Sequence, residues 1–372
     1  TGPGWATGRG HVAGIAIAVD GWKGYFPVRH EGGGNFDEEG LRNQLSKLLK
    51  NDADKIFHNA SYDLGWLKRW GVEVKGRCID TMIAAAVVDE NRMPGQYNLN
   101  AVARDYIQEK KDESLLYEAA RAWQIDAKAE MYKLPYQYVG PYAEQDAAMT
   151  LRLWNALKIQ IKKQELSSIF ELETELLPVL VEMKWRGVRI DLEKANNLKI
   201  QIKKEEEIIL HQLKKEVGFD VEVFAPTSVA KAFDKKGIKY NKSPTGLPSF
   251  DKNFLASLND PFSSKIVEAR ELFKARSTFI DSLLKHEHNG RIHGEINQLK
   301  SDQGGTITGR LSMSNPNLQQ IPARNQKIGP MIRSLFIPEE GCRWGSFDYS
   351  QQEPRLVAHF AALTQGGLDG AD

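Results

Sequence analysis

Cysteine is nearly absent. Cys78 and Cys342 are too few and too far apart for a disulfide framework, so a reducing, cytoplasmic setting is the expectation. No apolar run approaches the ~18 residues at which a membrane-spanning helix is read. The opening TGPGWATGRGH lacks the basic-then-apolar order of a secretory signal. Internal repeats and low-complexity tracts are missing as well, which sets aside repeat arrays. Charge of one sign is also scarce: 50 Lys and Arg face 49 Asp and Glu, a formal net charge of +1. A uniformly basic nucleic-acid surface is therefore not expected. The stretch from Thr227 to Lys300 carries a basic excess, 13 Lys and Arg against 8 Asp and Glu, that could follow a phosphate backbone.

What is present reads as a globular chain, 41% hydrophobic and 27% charged, long enough at 372 residues for two or three domains. The first 165 residues alternate strand and helix signals. HVAGIAIAV (His11–Val19) and GYFPVR (Gly24–Arg29) flank Asp20–Gly21, a hairpin turn signal. Phe36–Lys50 reads as a helix with Asp37 as N-cap and Leu41, Leu45, Leu48 and Leu49 on one face. Lys55–Asn59 is a short strand, and Ser61–Trp70 a helix stopped by Gly71. From Leu166 the chain turns helical. Leu172, Leu176, Val179, Leu180 and Met183 are spaced as a core-facing stripe, with a kink expected at Pro178. Asp191 caps a long Lys/Glu-rich helix, Leu192–Val217, expected to be a mostly exposed arm. Lys239–Phe250 reads as a loop and Pro261–Glu287 as helix.

Three segments carry chemistry. FHNASYDLGW (Phe57–Trp66) sets Asn59, Tyr62 and Asp63 at a strand–helix junction. YAEQDAAMTLRLW (Tyr142–Trp154) places Tyr142 and Asp146 four apart, on one helix face, where a hydroxyl and a carboxylate could aim a metal-bound water at phosphorus. Alone, each Asp reads more readily as a surface acid. SFDYSQQEPRLVAHF (Ser346–Phe360) runs from a strand-like stretch, Arg343–Phe347, into Asp348, then small and amide residues, then an apolar-periodic helix. An acid at a strand end beside a helix start can hold a metal next to a phosphate. TGRLSMSNPNLQQIPAR (Thr308–Arg324) is rich in amides and guanidinium groups and reads as an extended loop suited to sugar, phosphate and minor-groove contacts.

Asp348–Arg355 (DYSQQEPR) closely resembles motif A of the family A DNA polymerases, the bacterial DNA polymerase I type, whose usual wording is DYSQxExR. The preceding Thr308–Pro322 resembles that family's TGRLSS-x-PNLQNIP. Asn59/Asp63 and Tyr142/Asp146 resemble the second and third motifs of its proofreading 3′–5′ exonuclease. The resemblance implies a mixed α/β chain: a ribonuclease-H-like exonuclease domain over 1–165, a helical thumb leading into the palm over 166–300, and part of an α+β polymerase palm over 301–372. It implies two Mg²⁺ ions per active site in the full enzyme, held by Asp348 and the Tyr349 carbonyl in one and by Asp63 and Asp146 in the other, with Tyr142 orienting the attacking water. Tyr349, Ser350, Gln351 and Glu353 would meet the incoming nucleotide, Glu353 excluding a 2′-hydroxyl. Arg310, Asn317, Gln319, Gln320, Arg324 and Asn59 would contact DNA. The implied partners are primer–template DNA, single-stranded 3′ ends and deoxynucleoside triphosphates, with no membrane, for a monomeric enzyme whose processivity partner is not indicated.

Gln352 and Pro354 replace aliphatic residues of the common wording, which suggests a divergent lineage, a phage among the candidates. Pro354 is tolerated in a first helical turn and sets the helix start at Gln352 or Glu353. The family's Asp-x-Glu exonuclease motif is not found ahead of Thr1, and its His-Asp-Glu motif is not found after motif A, so an internal segment with little activity of its own is expected. Asp37-Glu38-Glu39 spells Asp-x-Glu but reads as a helix start. A stand-alone 3′–5′ exonuclease and a non-catalytic DNA-binding relative are the competing readings.

Overall fold

Alternating apolar residues and the Asp20–Gly21 turn pair Gly14–Val19 (β1) antiparallel with Trp22–Pro27 (β2), Val19 opposite Trp22. Gly21 sits at φ 78°, a conformation that glycine adopts without cost. This computed structural model describes residues 4–93, 95–302, 304–322 and 325–365. It forms two compact units divided between Phe336 and Ile337.

The first unit opens as an α/β layer. Glu38–Leu49 (α1) is capped by Asp37, whose carboxylate accepts from Gly40 N at 2.7 Å. The local Asp-x-Glu spelling is thus a helix start, where Glu38 also pairs with Arg29 and accepts from the Trp70 indole at 2.8 Å. Leu45 is buried while Leu48 is 51% exposed, so the α1 stripe is narrower than its leucines suggested. Lys55–Phe57 (β3) runs parallel to Cys78–Asp80 (β4). Between them lies Ala60–Arg69 (α2), and after β4 come Thr81–Val88 (α3), Leu99–Ile107 (α4) and Ser114–Trp123 (α5). Tyr136–Lys163 (α6), 28 residues long, packs across both strand pairs and against α3 and α4, burying Met149, Leu153, Leu157 and Ile161. Gly65 of α2 is required by close approach: a Cβ there would lie 2.2 Å from the Trp5 indole.

Ser167–Arg186 (α7) departs from its sequence pattern. Leu172, Val179 and Met183 are 58%, 52% and 52% exposed, and the buried face carries Phe170, Glu173, Thr174, Leu177, Leu180, Val181 and Lys184. Polar members are tolerated in that face because they are paired. Gln298 Nε2 donates to Glu173 O and Oε2 at 2.6 and 2.7 Å, and Lys184 Nζ meets Glu295 Oε2 at 2.5 Å. Spacing alone cannot see such pairs, so of the expected stripe only Leu180 is buried and Leu176 half-buried.

The rest of the unit is mainly helical. Val188–Arg189 (β5) precedes Leu192–Val217 (α8), capped by Asp191, which accepts from Lys194 N at 2.9 Å. Most α8 residues are exposed as expected, but it is no free arm: one face buries Ala195, Leu198, Ile202, Ile209, Leu213 and Val217 in the largest core. Pro226–Lys236 (α9) follows, then a small hairpin of Asn241–Lys242 (β6) and Pro248–Ser249 (β7) inside the expected loop. Lys252–Ser257 (α10) and Pro261–Lys274 (α11) lead through a π-helical turn, Ala275–Ile280, into Asp281–His286 (α12). Glu287–His288 (β8), Arg291–Ile292 (β9) and β5 form a three-stranded sheet; Glu295–Asn297 (β10) pairs with Ser312–Ser314 (β11). Ile328–Arg333 (α13) closes the unit.

The second unit contains Gln352–Gln365 (α14). Its start agrees with the Pro354 argument. Arg343–Phe347, read as strand-like, forms no strand: within this unit no described segment offers it a ladder of hydrogen bonds.

Candidate active sites

Of the exonuclease-like residues, Asn59 and Asp63 lie where β3 turns into α2, beside the end of β4. Asn59 adopts φ 66°, ψ 55°, the left-handed conformation that Asn accepts more readily than most residues, and this turns β3 into α2. Asp80, at the end of β4, holds the junction. Its Oδ1 accepts from Asn59 N at 3.0 Å and Met82 N at 2.8 Å, and its Oδ2 accepts from Ala60 N at 2.7 Å. One carboxylate thus caps the start of both α2 and α3. Asp80 is only 3% exposed, and burial raises its pKa although these backbone donors oppose the rise.

Asp63 lies one turn into α2. Desolvation, with the negative charge of Asp80 added, pushes its pKa up to about 7. His58 precedes Asn59, its Nδ1 2.9 Å from Thr81 Oγ1 and its Nε2 2.9 Å from Tyr97 O. Burial chiefly, and the charge of Lys111 in addition, lower its pKa to about 4.

The second cluster is on α6. Lys111 Nζ lies 2.8 Å from Asp146 Oδ1 and donates to Oδ2 at 2.9 Å. Oδ1 receives no hydrogen bond of acceptable geometry, so that contact is an ion pair only. Burial outweighs Lys111 and raises the Asp146 pKa. Tyr142 sits one turn before Asp146, and its hydroxyl accepts from Lys128 Nζ at 2.9 Å. Asp80, Lys111 and Lys128 were missed in the sequence. The strand-end Asp80 before TMIAAA carries an N-cap signal that could have found it. Lys111 and Lys128 stand in charged loops where nothing in sequence distinguishes them.

The donor chemistry suits a hard divalent cation: Asp63 and Asp146 offer carboxylate oxygens, and one Asp146 oxygen has no hydrogen bond. The number falls short. Among the described residues no three His, Cys, Asp or Glu side chains are gathered to hold an ion.

In the amide-rich loop, Arg310, Asn317, Gln319 and Gln320 are exposed along one stretch. Gln319 fastens the loop to itself, accepting from Met313 N at 3.1 Å and donating to Leu311 O at 2.9 Å. Asn317 caps the short 3₁₀ turn Leu318–Gln320. Arg324 lies outside the described residues. In the second unit Asp348, Tyr349, Ser350, Gln351 and Glu353 are all exposed, and Arg355 Nε donates to Ser350 O at 3.1 Å, closing the loop before α14.

Residues 192–365 match the model of DNA polymerase family A, and residues 7–162 match that of the 3′–5′ exonuclease domain. A DNA-directed DNA polymerase of Pseudomonas phage M6 is 38% identical over 369 residues, 95% of this chain and 55% of the relative. The chain belongs to DNA polymerase family A. A family member from Vibrio phage phiVC8, DNA polymerase DpoZ, is 31% identical over 94% of the chain and 59% of its own length. DNA polymerase I of Chloroflexus aurantiacus is 30% identical, with 95% and 38% covered. The chain thus spans about half the length of the phage relatives it matches. In fold it is similar to the POL domain of Pol1 from M. smegmatis, solved in complex with DNA primer-template and dNTP, at a TM-score of 0.71 and 24% identity over 94% of this chain and 56% of that one. A stand-alone exonuclease would leave residues 192–365 without an explanation. Exonuclease and polymerase domains of this family are in general metal-dependent, and no described helix is long and apolar enough to cross a membrane.

Proposed function

We propose that this chain carries the proofreading exonuclease domain (1–165), the thumb leading into the palm (166–300) and the motif A portion of the palm (301–372) of a DNA-directed DNA polymerase acting in replication or repair. The observation that carries the reading is one chain holding both the Asn59/Asp63 and Tyr142/Asp146 site and, behind it, the amide-rich loop with DYSQQEPR. Asp63 and Asp146 hold a divalent cation at the exonuclease site, and Asp348 with the Tyr349 carbonyl holds one at the polymerase site. Mg²⁺, two ions per complete site, is the ion these hard oxygen donors suit. When bound, it supplies Lewis-acid polarisation of the phosphate and an activated attacking oxygen. Tyr142 orients the attacking water, and Asn59 meets the single-stranded 3′ end. Glu353, in the first turn of α14, closes the space a 2′-hydroxyl needs; Tyr349, Ser350 and Gln351 line the nucleotide's approach. Arg310, Asn317, Gln319, Gln320 and Arg324 contact primer–template DNA without choosing sequence.

The test is a chimera in which this segment replaces its matched 369-residue counterpart in the Pseudomonas phage relative. The chimera is expected to extend a primer and to degrade a 3′ end. Asp348→Ala abolishes extension only, Asp63→Ala or Asp146→Ala abolishes degradation only, and Glu353→Ala raises the ratio of ribonucleotide to deoxynucleotide incorporation. Extension surviving Asp348→Ala would reject the motif A assignment.

A further inference from the structure

Lys111 is a charged group that the proposed function leaves unused, and its placement is built rather than incidental. It stands in the loop between α4 and α5. Its own N–H donates to Asn100 Oδ1 at 2.9 Å, and the next N–H, of Asp112, donates to Gln145 Oε1 at 3.1 Å. The loop is therefore fastened to α4 and to α6 around the lysine. The Lys111 side chain is only 9% exposed, with its ammonium against both oxygens of Asp146. The same nitrogen is 5.0 Å from the ring centroid of Tyr142. A second ammonium, Lys128 Nζ, is 4.2 Å from that ring but has its own carboxylate partner, Glu113, at 2.6 Å.

Removing an ammonium from water is costly, and here it is offset because the Asp146 carboxylate would otherwise be largely buried without a counter-charge. We propose that Lys111 is the resident counter-ion of the exonuclease site: it neutralises Asp146 while no divalent cation is bound, and it is the group that such a cation displaces. The inference rests on the exonuclease reading of Asp146. Two effects of opposite sign follow. Lys111 stabilises the cation-free protein, and it weakens cation binding, because an ammonium and a divalent ion on one carboxylate repel. A lysine with a merely structural role would not strengthen cation binding when removed.

The test is Mn²⁺ binding, followed by loss of the free-ion electron paramagnetic resonance signal, on the 372-residue protein and on Lys111→Met, Lys111→Arg and Asp146→Asn. Lys111→Met is expected to bind Mn²⁺ at least tenfold more tightly than the parent, to melt lower in EDTA, and to recover more on addition of Mn²⁺. Lys111→Arg keeps the parent's behaviour, and Asp146→Asn removes the binding. Lys111→Gln carries the same expectation as Lys111→Met and serves if the methionine variant does not fold. Equal or weaker binding by Lys111→Met and Lys111→Gln, with parent binding still lost in Asp146→Asn, overturns the counter-ion and leaves the exonuclease reading standing. Binding that ignores Asp146→Asn overturns both, and no binding in any variant overturns the counter-ion alone.

Discussion

Asp63 and His58, five residues apart, titrate against each other. Asp63 keeps its proton in the folded protein up to about pH 7, whereas an unfolded Asp loses it near pH 4. Between those values the folded state binds more protons, so this residue's contribution to stability falls as pH rises. His58 titrates near pH 4 when folded and near 6.5 when unfolded, so its contribution falls as pH drops through that window. The two slopes oppose each other and hide one another in the parent. Asp63→Asn is expected to gain on the parent as pH rises from 4 to 7, by about 3 kcal/mol. His58→Gln gains on it as pH falls from 6.5 to 4. Thermal melts at pH 4.5, 6 and 7.5 read both differences, and a flat difference for Asp63→Asn would remove the raised pKa. Asp63 and His58 stand in a motif visible in sequence. Their opposed titration was not, because it arises from burial and from Asp80 and Lys111, which arrive from other elements.

At the scale of elements, most of the local signals were legible. Asp37, Asp191 and the Asp20–Gly21 turn are where capping and turn chemistry put them, because these interactions reach only a few residues along the chain. Most of the α7 stripe and the packing of α8 were misread, because both depend on partners far away in sequence. Phe262, Ile266 and Leu272 of α11 join the core that covers α8, while Glu295 and Gln298 make the polar face of α7 the buried one. The strand expected before Asp348 fails for the same reason, a ladder needing a second strand. The misreading of α7 has a measurable consequence. Leu180, 6% exposed, is expected to cost roughly 2–4 kcal/mol when changed to Ala, and Val179, its 52% exposed neighbour, less than about 0.5 kcal/mol. Urea unfolding of the two variants decides it, and the reverse order would put Val179 rather than Leu180 in the core.

For the molecule as a whole, the α/β layer and the loop ahead of the amide-rich segment are joined within one unit. Tyr97 is fully buried; its carbonyl faces His58 Nε2 and its N–H donates to Asp302 Oδ1 at 3.0 Å. Four residues beyond Asp302 the chain enters Thr306–Arg310, so the strand–helix site and the proposed DNA-contacting loop share one buried hydrogen-bonded residue. The near-neutral net charge means that affinity for primer–template DNA must come from this loop and the basic Thr227–Lys300 stretch. Binding is expected to be sequence-independent and to weaken linearly in log salt, with Arg310→Ala lowering the slope by about 1. Fluorescence titrations at several salt concentrations test this, and affinity indifferent to salt would refute it.

Asp80 has a consequence for how mutations in this protein should be interpreted. A buried carboxylate fastens two helices by their first turns, and one of those helices carries Asp63. If Asp63 and Asp146 form the proposed exonuclease site, a genetic screen for loss of nuclease recovers Asp80 alongside them, and activity data alone would count it as a third member of the site. Circular dichroism would tell them apart: the Asp80 variant loses the caps of two helices, whereas the Asp63 and Asp146 variants keep theirs.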